Sequence, residues 1–146
     1  MTPNDPLLIE ELRRDEGFKH TEYLDSEGIP TTGVGHNLRV SPLPDGWTYP
    51  LSDGQVNALL ANDLALDFHD LDEHLGWWRT LTYARQRVLA NMCFNMGIHG
   101  LLGFKHMLGC ITSNDYEGAA EAMLASKWAN EVGDRSVRLA DMMEAG

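Results

Sequence analysis

One apolar stripe constrains this chain more than any other feature. Val56, Leu59, Leu60, Leu64, Phe68, Leu71 and Leu75 recur at helical spacing, which predicts a long amphipathic helix with one face committed to a core. Ser52 and Gln55 stand at capping-box spacing ahead of it, and Leu51 is placed as a staple. The opposite face carries Asp63, Asp67, Asp70, Asp72 and Glu73. The direct reading of that face is a solvated surface, and the competing one is a contact for a protein partner.

Before this helix, Arg39 to Pro50 holds Pro42, Pro44, Gly46 and Pro50 and reads as a loop. The residues N-terminal to it are too few to fold well alone, so the loop separates lobes of one domain rather than two domains. The first lobe opens with a helix. Asp5 is a good N-cap, Pro6 suits the first helical position, and Leu8, Ile9 and Leu12 form its apolar stripe. Gly17 is placed to end it. Thr21 to Thr32 then reads as a β-hairpin turning at Asp25-Ser26-Glu27-Gly28. Pro30 restricts its strand to an edge or a bulge, and Gly33-Val34-Gly35-His36 leaves the hairpin.

After the long helix, Thr82 is placed to cap a helix whose stretch Val88 to Met96 is almost entirely apolar and which Gly97 ends. Shorter helices are expected at about 103–111, 116–127 and 135–143. The fold class is therefore α+β, with a small sheet lobe near the N-terminus and a larger helical lobe, about 15–50 and 52–146 plus the N-terminal helix, in a single domain 1–146.

Composition narrows the function. Eleven basic against 22 acidic residues give a net charge of −11, which argues against a general nucleic-acid binder. No apolar run approaches the length of a membrane span, and Met1 to Arg14 lacks the layout of a secretory signal. Two cysteines cannot make a disulfide framework. Cys93 falls in the apolar helix and Cys110 on a later one, and free thiols are the expected state. His69 and His74 are off the i,i+4 spacing of a helical metal pair, so no metal site and no cofactor is expected. Gly33-Val34-Gly35 lacks the third glycine and the context of a dinucleotide loop.

Two carboxylates stand out. Glu16 lies on the apolar side of the first helix at its C-terminal end. The helix dipole and desolvation both oppose its charge there, so it needs either a cation or a use for its proton. Asp25 lies in a solvated turn. Two carboxylates in such different settings suit the acid and base of glycosidic hydrolysis. A turn aspartate and an ion-paired glutamate remain the simpler reading of spacing alone.

The run from Leu12 through Glu16-Gly17, then Tyr23-Leu24-Asp25-Ser26-Glu27-Gly28-Ile29-Pro30-Thr31-Thr32-Gly33-Val34-Gly35-His36, resembles the phage-type lysozymes, the muramidases of tailed phages. The family pattern is Glu, eight residues, Asp, five residues, Thr, then Gly-x-Gly-His, and this chain matches it without a gap. Asn91 to Gly97, Gly103-Phe104, Ala119-Ala120, Trp128 and Asp134-Arg135 with Arg138 follow in the family's order, so the likeness covers about residues 7–140.

The resemblance implies a lysozyme-like fold, with its two lobes joined by the long helix. It implies that Glu16 is the general acid, that Asp25 positions or activates the attacking water with inversion, and that Thr31 hydrogen-bonds that water. It implies that Arg135 pairs with Glu16, and that His36 makes a structural ion pair or hydrogen bond near the cleft. Asn95 and Trp128 occupy positions that approach peptidoglycan in the family; Trp128 reads equally as core, and Asn95 is a shorter amide than the family's. Adjacent Trp77 and Trp78 could stack on sugar, but one buried and one on the rim is the plainer reading.

The implied reaction is cleavage of the β-1,4 bond between N-acetylmuramic acid and N-acetylglucosamine. The partner is peptidoglycan, met by a monomer or by a domain of a larger virion protein. Synthesis is expected in the host cytoplasm and action in the periplasm, or from the virion. A lytic transglycosylase would need the acid but not Asp25 and Thr31. A non-catalytic wall-binding module would need neither carboxylate.

Overall fold

A computed structural model describes all 146 residues. Helix α1, Pro6–Glu16, begins where Asp5 accepts the Leu8 N–H at 2.9 Å. It ends at Gly17, whose φ of 83° is open to glycine and costly for other residues. Leu8 and Leu12 are fully buried.

Strand β1, Lys19–Leu24, pairs antiparallel with β2, Pro30–Gly33, through a turn at Asp25 to Gly28. The expected hairpin is therefore present, but it is not the whole sheet. The chain does not leave after Gly33: it turns through Val34 and Gly35 into β3, His36–Asn37, which pairs with Thr31 and Thr32. The order β1-β2-β3 makes β2 the central strand. Pro30 is thus on neither an edge strand nor a bulge; it is the first residue of β2, where a missing donor is tolerated. The irregularity in register lies in β1, between Lys19 and Tyr23.

Helix α2, Asp53–His74, opens with the expected box. The Gln55 N–H donates to Ser52 Oγ at 3.1 Å, and the Ser52 N–H donates to Gln55 Oε1 at 2.9 Å. Val56, Leu59, Leu60, Leu64, Phe68 and Leu71 are all buried along one face, as is Leu75 just past the helix end. No helix is long and apolar enough to cross a membrane.

A short 3-10 turn, Trp78–Thr80, leads to α3, Tyr83–Leu102, capped by Thr82. At Gly97 the backbone leaves helical geometry with φ 77° and ψ 165°, so the buried helix stops there and a further turn follows. Next come α4, Lys105–Thr112, and α5, Tyr116–Leu124. The stretch expected as one helix to Lys127 is two. Ser126 adopts an extended ψ of 158° and accepts the Ala129 N–H, which starts α6, Lys127–Val132. Helix α7, Asp134–Ala145, packs on α3, α5 and α6, and α4 packs on α5. Leu89, Met92, Leu101, Met107, Ile111, Met123, Leu139 and Met143 fill this core.

The chain divides into two compact units, Thr2–Phe68 and His69–Gly146 with Met1. The sheet, α1 and most of α2 form the first. The second is entirely helical and contains Trp78, which is fully buried, with its Nε1–H donating to Asp72 at 2.7 Å. Trp77 is half-buried beside it.

Candidate active site

Four of the expected residues, Glu16, Asp25, Thr31 and His36, lie in the first unit. Glu16 is the last residue of α1 and is half-buried. Gly35 presses against it: a Cβ at that position would lie 3.0 Å from the Glu16 carboxyl carbon and 3.0 Å from Oε1. Gly35 also has φ 61°. A side chain there would be strained and would displace the carboxyl.

Asp25 holds the hairpin turn with its own carboxylate. Oδ1 accepts the N–H of Glu27 at 2.8 Å and of Ile29 at 2.9 Å, the local bonding that favours Asp in turns. One oxygen is thereby fixed to the backbone. Thr31, buried in the central strand, donates its hydroxyl hydrogen to the Ile29 carbonyl at 2.7 Å. Its oxygen therefore meets any further partner as an acceptor.

Tyr23 connects these groups, and the sequence reading did not single it out. It faces Thr31 across the β1–β2 ladder. Burial raises the pKa of its phenol above the usual range, the charges of Glu16 and Asp25 raise it further, and a hydrogen bond from the Gly35 backbone pulls the other way. Both carboxylates thus act on one hydroxyl. In the structure Tyr23 is the one residue of β1 that is not exposed, a distinction that no alternation of the strand's sequence announces.

His36 is buried and bonded at both ring nitrogens. Nδ1 lies 2.6 Å from Asp63 Oδ2, and Nε2 lies 2.7 Å from the Ser41 carbonyl. Burial opposes its charge, but the hydrogen bond and charge of Asp63, aided by the Ser41 carbonyl, outweigh burial and raise its pKa. This is the structural ion pair expected of it. Asp63 is accordingly part of that pair and not simply a member of a solvated acidic face.

Arg135, Asn95 and Trp128 belong to the second unit. There, two amides on α3 hold two groups from the C-terminal helices. Arg135 is buried and its Nε–H donates to Asn91 at 2.9 Å. The Trp128 Nε1–H donates to Asn95 at 2.7 Å, and its ring meets Phe104 edge-on at 5.9 Å between centroids. Trp128 is buried in the core and also lines a shallow cleft with Phe104, Ser126 and Lys127. Both cysteines are free and buried.

Residues 13–141 match the model of the phage lysozyme family. The chain belongs to the phage lysozyme family. Three relatives within reach of it differ in size. The pre-baseplate central spike protein Gp5 of Enterobacteria phage T4 is 30% identical over 95% of this chain, but the chain spans only 28% of that protein's length. A probable T4-type lysozyme of Dictyostelium discoideum is 28% identical over 92% of both chains. The endolysin of Salmonella phage P22 is 30% identical over 84% of this chain and 82% of its own. This phage lysozyme sequence is thus similar both to free-standing lysozymes and to one segment of a virion spike.

Proposed function

We propose that this chain is a muramidase that hydrolyses the β-1,4 bond between N-acetylmuramic acid and N-acetylglucosamine in peptidoglycan, with inversion. What supports the reading is that Asp25 follows the strand position where Tyr23 pairs with Thr31, and that the Gly35 turn abuts the Glu16 carboxyl, in a chain of the phage lysozyme family. Glu16 donates its proton to the glycosidic oxygen as the bond to the anomeric carbon breaks. Asp25 takes a proton from the water that attacks the opposite face of that carbon. One Asp25 oxygen is already bonded to backbone, so the other serves the water. Thr31, with its hydrogen engaged by Ile29, accepts the second water proton in a hydrogen bond and aims the nucleophile. His36 and Asp63 hold β3 in place behind the Gly35 turn and take no part in proton transfer.

The likeness to a segment of a virion spike supports a second reading of context, in which the same chemistry is carried by a larger particle protein for local wall penetration.

The test is digestion of purified Gram-negative peptidoglycan with this protein and with Glu16→Gln, the products being weighed by mass spectrometry. Muropeptides with reducing ends are expected from the wild type. The variant should be slower by at least about 100-fold, the scale of general acid catalysis. Products lighter by one water would carry 1,6-anhydro ends and make the enzyme a lytic transglycosylase. No products from either protein would leave a wall-binding module.

A further inference from the structure

The second unit contains a groove that the chemistry above does not use. Its volume is about 360 Å³, at the small end of the range for ligand clefts. Trp77 and Tyr116 form its aromatic walls, and Leu81 and Ile111 contribute apolar surface. Thr80, Thr112 and Asn114 supply the polar atoms, and no carboxylate, imidazole or cationic side chain lines it. We propose that this groove binds a neutral N-acetylhexosamine unit of a glycan strand, as an anchoring site separate from Glu16 and Asp25.

Three observations carry the assignment. The first is that one of the two aromatic walls, Tyr116, is held in place. The Arg85 guanidinium stacks on Tyr116 at 3.4 Å from the ring centroid and is itself fixed by the carbonyls of Met143 at 2.7 Å and Glu144 at 3.0 Å. The Tyr116 hydroxyl donates to Asn114 Oδ1 at 3.1 Å. Rigid, half-buried aromatic rings offer large contact area at low entropic cost, and their negative faces attract the polarised C–H bonds of a pyranose.

The second is the donor and acceptor pattern. Thr80 Oγ1 donates to the Trp77 carbonyl at 2.6 Å, and Thr112 Oγ1 donates to the Gly109 carbonyl at 3.0 Å. Both hydroxyls therefore present lone pairs, which suit sugar O–H groups. Asn114 has its carbonyl oxygen engaged by Tyr116, so it presents N–H donors, which suit an acetamido carbonyl. The apolar floor suits the acetyl methyl.

The third is charge. The chain carries −11 overall, and a contact made by stacking and neutral hydrogen bonds does not meet the repulsion that an anionic ligand would. The site rests on the peptidoglycan reading for the source of its occupant.

The experiment is a titration of the isotope-labelled full chain, carrying Glu16→Gln, with the β-1,4 tetramer of N-acetylglucosamine, followed by nuclear magnetic resonance. Saturable shifts are expected at the Trp77 indole N–H and at the Thr112 and Asn114 amides. Pelleting with purified peptidoglycan should weaken at least tenfold in Trp77→Ala and recover in Trp77→Phe, with little dependence on salt. Turnover of short soluble wall fragments by Trp77→Ala should stay at the wild-type rate. The shifts are read on an intact groove, so they stand even where a variant folds poorly. A protein that releases muropeptides while the groove resonances stay still overturns this site and leaves the proposed function intact. Groove resonances that respond while the wild-type chain releases no products from peptidoglycan sustain the site and overturn the muramidase reading.

Discussion

His36 illustrates how one side chain can set a pH dependence. Both ring nitrogens face acceptors, the Asp63 carboxylate and the Ser41 carbonyl, so the doubly protonated ring is the form the fold prefers. Its folded pKa lies above 6.5. The stabilisation is therefore fully present below the unfolded value and is lost as pH rises through the folded one. Thermal melts from pH 5.5 to 9 should show the wild type losing more stability than His36→Asn over that rise. Parallel curves would remove His36 as the source. Gly35 is a second residue-scale case. Gly35→Ala should destabilise by about 1–2 kcal/mol from its left-handed backbone alone. It should also slow peptidoglycan cleavage by more than the loss of folded protein explains, because the new Cβ meets the Glu16 carboxyl. Unchanged cleavage per folded molecule would free Glu16 from that constraint.

At the scale of the element, local signals were legible wherever one residue performs one local task. Asp5, Ser52 and Thr82 each cap the helix that their sequence position announces. Ser52→Ala should cost about 1 kcal/mol, read as a lower denaturant midpoint at unchanged slope. Strand β3 was not legible, because two residues carry no periodicity and their pairing with Thr31 and Thr32 is decided by the Gly35 turn. The break before α6 was hidden because Ser126 sits within an otherwise helix-forming stretch, and only its bond to Ala129 identifies it as a cap. The site divides in the same way. Glu16, Asp25 and Thr31 were readable from a linear motif. Tyr23 meets Thr31 only through the pairing of β1 with β2, and the Asn91–Arg135 and Asn95–Trp128 bonds join residues far apart in sequence.

For the molecule as a whole, net charge separates catalysis from encounter. A chain at −11 approaching an anionic wall is repelled at long range. Moderate salt shortens that repulsion, with a screening length of about 8 Å at physiological ionic strength. The initial rate of turbidity loss on whole walls should therefore rise between roughly 10 and 150 mM salt, the window over which the screening length falls from about 30 to 8 Å. A rate that declines steadily from the lowest salt would mean that the approach is attractive and that the wall-facing surface is locally positive.

The segment after β3 has a use of another kind. It is fastened at both ends: the Ser41 carbonyl is held by His36, and the Leu51 N–H donates to the His20 carbonyl at 2.8 Å. Between these clasps, residues 42–50 are mostly exposed, and their backbone makes one local bond, from Trp47 to Pro44 at 3.2 Å. Doubling the length of such a loop costs only about 0.6 kcal/mol in closure entropy. This stretch is therefore a natural place to graft a foreign peptide or reporter domain without disturbing the strands and helix on either side.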